Sequence, residues 1–187
     1  IAYSSFSPES SQSSTQVVSV ASGCALEEAS SNTINAANQS ISASDASTPT
    51  TTFSPANSAT AVAVASDITL TFNEAVRLIN NSALDNTNVD ALITLKEDNA
   101  SGADIDFDAT INGAKTEITI DPDSSLSSTQ VVYVAIGATV EDASNNAINA
   151  ANASFTAADT SLPTTTFSPA NSATAVAVAS DITLTFN

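Results

Sequence analysis

The sequence predicts an all-β fold, a two-layer sandwich built more than once along the chain, and three observations predict it. Short runs alternate apolar and polar residues at period two, separated by clusters of Ser, Asn, Asp, Pro and Gly. The stretch PTTTFSPANSATAVAVASDITLTFN at residues 49–73 returns unchanged at 163–187, an offset of 114. No heptad or long amphipathic helical pattern competes with the alternation.

In the unit that starts at Pro49, the first clear strand lies within residues 67–72, with Ile68, Leu70 and Phe72 on one face and Thr69 and Thr71 on the other. Residues 80–90 read as a helical turn. Ile93 and Leu95 share the inner face of the next strand. Residues 103–111 give the cleanest alternation: Ile105, Phe107, Ala109 and Ile111 inward, Asp104, Asp106, Asp108 and Thr110 toward water. Asn112-Gly113 reads as a tight hairpin turn, since both residues tolerate positive φ. The returning strand turns Ile118 and Ile120 inward. Val132, Val134 and Ile136 line a further strand with Tyr133 outside it, and a last strand spans 151–157 around Phe155.

The offset of 114 holds upstream as well. Pro8 matches Pro122, STQVV at 14–18 matches 128–132, and INAAN at 34–38 matches 148–152, with no insertion. A period of this length is too long for a solenoid rung and is the size of one globular domain. The chain therefore divides into residues 1–48, the C-terminal part of one repeat; 49–161, a complete repeat; and 162–187, the N-terminal part of the next. The two partial repeats together lack the counterpart of 74–114. The sequence is thus expected to be a window from a longer chain, or from a filament in which other copies complete the broken units. Pro49 and Pro163 make the connections short and stiff, so neighbouring repeats should align as a rod.

Composition narrows the function. The formal net charge is -17, with 20 acidic residues against Arg77, Lys96 and Lys115, so nucleic acid and anionic membranes are repelled. No apolar run reaches the roughly 20 residues that span a bilayer, which predicts no direct membrane insertion. Histidine is absent, and with it the usual general base of nucleophilic triads. Cys24 is the single cysteine and aligns with Ala138, so a small buried residue that needs no thiol is expected there.

Residues 50–76, TTTFSPANSATAVAVASDITLTFNEAV, followed at the end of the unit by Leu126, alternating valines and VEDASNNAI at 140–148, resemble the opening and closing patterns of bacterial Ig-like domains of the surface-layer protein type. Asn145 stands where the family pattern has glycine, and Val132 where it has tyrosine. The resemblance implies an immunoglobulin-like β-sandwich that is not an enzyme. It further implies an extender or stalk repeat of a large secreted adhesin or filament at a bacterial cell surface. The alternatives are a lateral glycan- or protein-binding module and a self-assembling filament or surface-layer subunit. Its partners would be neighbouring repeats of the same chain or other copies in a filament.

No cofactor is required by this reading, and calcium is the one ligand the acidic residues suit. The weak calcium candidates are at the repeat boundaries: Asp45 and its counterpart Asp159, with Glu141 and Asp142 in a loop able to approach the same end. The outward row Asp104, Asp106 and Asp108, about 7 Å apart at strand spacing, is the lesser candidate, since a straight strand does not wrap around an ion. A solvated face that discourages aggregation is the expectation there. Glu97-Asp98 and Asp121-Pro122-Asp123 read as turns. The Asn-x-Ser triplets at Asn38, Asn80, Asn99 and Asn152 are what a chain so rich in both residues contains by chance.

Overall fold

The computed structural model describes residues 17–22 and 37–187. Pro8, Cys24 and the other upstream repeat matches at 14–16 and 34–36 lie outside the described residues; Ala138, the counterpart of Cys24, is exposed and not buried as expected. Strands β1 (Val17–Ser22) and β2 (Ala37–Ser42) form an antiparallel pair with Val17 opposite Ser42.

Residues 49–161 fold as a sandwich. One sheet runs β3 (Thr51–Ser54), β4 (Ile68–Phe72), β8 (Glu117–Pro122), β7 (Phe107–Ile111) from edge to edge. The other runs β11 (Ala151–Thr156), β9 (Val131–Ile136), β6 (Ile93–Glu97). A short ribbon of β5 (Arg77–Leu78) and β10 (Val140–Glu141) adds a third pairing at one end. Every strand pair is antiparallel. β9 and β11 repeat the register of β1 and β2, with Val131 opposite Thr156, 114 positions further on. The last strands, β12 (Thr165–Ser168) and β13 (Thr183–Phe186), pair with each other.

Period-two alternation sends one face of each strand into a common core: Ile68, Leu70 and Phe72; Ile93 and Leu95; Ala109 and Ile111; Ile118 and Ile120; Val132, Val134 and Ile136; Ala153 and Phe155. Each such aliphatic or aromatic side chain contributes roughly 1.5–3 kcal/mol on full burial. Two more core residues come from the loop between β5 and β6, where Leu84 and Val89 are buried.

Three sequence expectations are corrected. The strand expected over 103–111 begins only at Phe107; ahead of it the chain runs beside β6, where the Glu97 amide donates to the Ala103 carbonyl and the Ile105 amide to that of Leu95. The Asn112-Gly113 hairpin is a longer loop. Its positive φ is carried by Lys115, at 60°, and the Asn112 Oδ1 accepts the Thr116 amide at 2.9 Å. Asp121 and Pro122, expected in a turn, instead end β8 opposite Asp108 and Phe107; the helical turn expected in 80–90 is present, the Asp85 carbonyl accepting the Val89 amide at 3.1 Å ahead of a 3-10 turn at Asp90–Leu92.

Open sheet edges recruit other strands unless they are occupied, and here three of the four edges are. β6 is covered by residues 103–105, as above. β11 is covered by residues 57–62: the Ser58 and Val62 amides donate to the Ser154 and Thr156 carbonyls, and the Thr156 amide returns a bond to Ala59. At β7, the Ala109 and Ile111 amides donate to the side chains of Asp90 and Asn86. The fourth edge, β3, is four residues long and is followed by Pro55.

Candidate functional site

The end of the sandwich where β4 leaves the sheet is built by two loops and the connection from the preceding segment. Asn73, just past β4, accepts the Thr50 amide on its Oδ1 at 2.6 Å and donates its own amide to the Thr50 carbonyl, fixing the chain that enters β3. Glu74 follows. Across from it, β10 runs into a turn in which Asn145 takes φ of 68°, the left-handed conformation that asparagine tolerates well.

Asp142 organises that turn. Its Oδ1 accepts the amides of Ser144 (2.7 Å) and Asn146 (2.8 Å), and its Oδ2 accepts the Asn146 side-chain amide (2.8 Å). Burial alone raises the pKa of this carboxyl, but the bonds from Asn146 and Ser144 outweigh it and hold the group below its ordinary value. Arg77 braces the same turn from β5. It donates to Glu141 Oε1 at 3.2 Å, to the Ala143 carbonyl at 3.3 Å and to Asn145 Oδ1 at 3.0 Å. Glu141 is 4% exposed, so this pairing compensates a carboxylate that burial would otherwise penalise.

The Asn146 side chain also donates to the main-chain carbonyl of Asp45, at 3.2 Å, joining the connection to the turn. Asp45 in turn accepts the Ser47 amide on Oδ1 at 2.9 Å. As a result, one carboxylate oxygen from each of Asp45, Glu74 and Asp142 lies within 4.8 Å of the others. Burial, then the charges of Asp142 and Asp45, push the Glu74 carboxyl above its ordinary value. Three hard oxygen donors on separate segments could coordinate a metal ion, and calcium or magnesium chemistry fits them better than a softer metal.

Sequence reasoning named two of these three. Asp45 and Asp142 lie together in this cluster. Glu141 lies one residue away but is taken by Arg77. Asp159, the counterpart of Asp45, is exposed and stands at the opposite end of the unit. Its Oδ1 accepts the Ser161 amide (2.9 Å) and the Ser128 hydroxyl (2.8 Å), bonds that hold its pKa below the ordinary value. Glu74 was missed. The signal was there, since Glu74 and the β10 turn both follow strands that run toward the end where Asp45 enters. The 114-residue comparison could not show it, because the second copy of the motif stops at Asn187.

The row of three aspartates is not one strand. Asp104 sits beside β6 and pairs with Lys96, while Asp106 and Asp108 are exposed. Glu28, aligned with Asp142 one repeat earlier, lies outside the described residues. Among the described residues no helix is long and apolar enough to cross a membrane.

Residues 45–157 match the family described as bacterial Ig-like domain. Among curated proteins none matches the chain. Solved structures with similar backbones include domains 1-6 of the surface layer protein SbsC, at TM-score 0.42 and 13% identity over 65% of this chain and 15% of that one. Another is CopC from Methylosinus trichosporium OB3b, at TM-score 0.39 and 17% identity over 59% of this chain and 92% of that one. A longer SbsC structure, rSbsC(31-844), gives TM-score 0.39 and 12% identity, and the chain spans 14% of its length.

Proposed function

The chain belongs to the family of bacterial Ig-like domains, and from that membership we propose that it is a run of tandem 114-residue repeats serving as an extender or stalk in a large secreted adhesin or filament at a bacterial cell surface. The module itself is structural and non-catalytic. Its interior is filled by aliphatic and phenylalanine side chains, and without histidine no ordinary base stands beside its serines and threonines. The observation that carries the stalk reading is the distribution of contacts. Three lateral edges are occupied, whereas the end that receives Asp45 engages the preceding segment through Asn146. A module with three of its four edges occupied and its end engaged extends a chain; it is poorly suited to recruiting strands along those edges.

Calcium at Asp45, Glu74 and Asp142 would stiffen that junction by tying a connection to two loops of the next unit. Sites of this openness in extracellular modules bind with Kd of about 10⁻⁴–10⁻³ M. At about 10 mM calcium such a site adds roughly 1.5–3 kcal/mol by mass action. A polypeptide of two complete units, followed by small-angle scattering and thermal unfolding with and without calcium, tests both parts. Its longest dimension should be close to twice that of one unit, and calcium should raise the melting temperature. A compact two-unit particle would overturn the stalk; an unchanged melting temperature would overturn the calcium site alone.

The second reading is a lateral binding module. It is favoured by a groove of about 450 Å³ between the β6 and β7 edges, lined by Ile93, Leu95, Ile105 and Phe107 with Lys96 and Asp104 among its polar residues. Tight binding of a glycan or protein by one isolated unit, lost on Phe107→Asp, would favour it over the stalk.

A further inference from the structure

β6 and β11 are closed by main-chain bonds, but β7 is closed by two side chains. The Ala109 amide donates to Asp90 Oδ1 and the Ile111 amide to Asn86 Oδ1, both at 2.9 Å. Residues two apart on a strand point their amides the same way, so these are successive donors on the outer edge of a five-residue strand. The two side-chain oxygens stand where the carbonyls of a further strand would be.

The loop holding them is fixed independently. Leu84 and Val89 anchor it in the core at 1% and 0% exposure. Asp85 accepts both the amide and the hydroxyl of Thr87, at 2.8 and 2.6 Å, and the Asn88 side chain closes the loop through the Asp85 amide and the Ala83 carbonyl. Asn86 and Asp90 are therefore held against β7 by the loop.

We propose that Asn86 and Asp90 form a removable edge plug, which keeps β7 from pairing with the β7 strand of a second copy of this domain. A second copy is the matching occupant because an antiparallel β7–β7 pair is self-complementary about a two-fold axis. Such a pair would turn Ala109 and Ile111 of both strands toward one continuous core face. In the proposed run of repeats, on which this step rests, further β7 edges would stand at high local concentration, and a plug would be worth more than in an isolated domain. Asp106 and Asp108 add repulsion on the outer face, a second barrier that salt removes.

The test uses the full chain carrying Asn86→Ala and Asp90→Ala in about 0.5 M NaCl, where the screening length falls to roughly 4 Å. Hydrogen exchange at the Ala109 and Ile111 amides is read from about 10 μM to about 1 mM protein, the range in which exposed edges associate. In the unaltered chain both amides should exchange slowly and independently of concentration. In the double variant they should exchange at least tenfold faster when dilute and regain protection when concentrated, with a matching rise in sedimenting mass. Because the readout is confined to β7, association through other surfaces does not imitate it.

Two outcomes overturn the proposal: amides that stay slow in the dilute variant, or amides that stay fast at every concentration. Should the double variant fail to fold, the single variants decide by the same criteria. Asp90→Ala should free Ala109 alone and let it regain protection on concentration, whereas Asp90→Asn, which keeps the accepting oxygen, should behave as the unaltered chain.

Discussion

Residues 49–73 and 163–187 have one sequence and, within residues 1–187, different surroundings. Their local structure is the same: β3–β4 and β12–β13 pair in identical register, with Thr51 opposite Phe72 and Thr165 opposite Phe186. The Thr50 and Thr164 amides bond Asn73 and Asn187 side chains at 2.6 and 2.7 Å, and Ser58 and Ser172 share a left-handed φ of 65° and 62°. Burial divides them. Ile68, Leu70 and Phe72 are 0%, 0% and 2% exposed, while Ile182, Leu184 and Phe186 are 77%, 49% and 65% exposed. The hairpin register is thus the same in both copies, and burial in the 49–161 unit comes from the strands that pack on it.

The sharpest way to break this comparison is to shorten the same leucine twice. Leu70→Ala should cost the 49–161 unit about 3 kcal/mol, read as a lower urea midpoint by circular dichroism. Leu184→Ala should shift that transition by less than about 0.5 kcal/mol. Equal losses would mean that β12–β13 packs on something in solution.

A smaller effect is expected at a contact that lies beyond the repeated stretch. Arg77→Met strands Glu141 in its buried position, at a cost of roughly 2 kcal/mol. Most of it should be recovered by adding Glu141→Gln in the same chain. Failure of that rescue would show that Arg77 acts through Asn145 and the Ala143 carbonyl instead.

Where the two copies agree, substitutions should act alike. Asn73→Ala and Asn187→Ala each remove one acceptor for a threonine amide, worth about 1 kcal/mol locally. Exchange of the Thr50 and Thr164 amides should accelerate by similar factors.

The smallest expected effect is in pH. Glu74 titrates above its ordinary value in the folded chain, so its contribution is fully present below its unfolded pKa, about 4.3, and is lost as pH rises through the folded value. Asp142 is shifted the other way. Its contribution is present above about pH 3.9 and is lost as pH falls through the lower folded value. Acidification from neutrality toward pH 4.5 should therefore raise the melting temperature slightly before further acid lowers it. Glu74→Gln should abolish the rise and leave the acid loss.

Most of the sandwich could be read from alternation, because Ile68, Leu70, Ile118, Ile120, Val132 and Val134 each needed only a partner face to be buried. The errors fall where a long-range main-chain partner overrides the local pattern. Residues 103–105 alternate like a strand of the first sheet, yet their backbone bonds go to β6, and periodicity does not specify which sheet a segment joins. The Asn112-Gly113 pair was similarly misleading, since the loop spends its positive φ on Lys115. The boundary cluster was half legible. Asp45 and Asp142 stood out through repeat position and the closing motif. Glu74 depends on which strand ends meet, and that is a property of topology.

Asp45 is held by Asn146, a residue 101 positions later, so the sequence period and the folded body do not share an origin. Counting from proline gives a tidy module that omits the carbonyl its own closing turn grips. Were Asp159 gripped by a following unit as Asp45 is by Asn146, successive domains would overlap by a few residues, in the manner of shingles. Severing the chain at Pro49 would remove part of the seat as well as the tether, whereas severing it ahead of Asp45 would leave the fold whole.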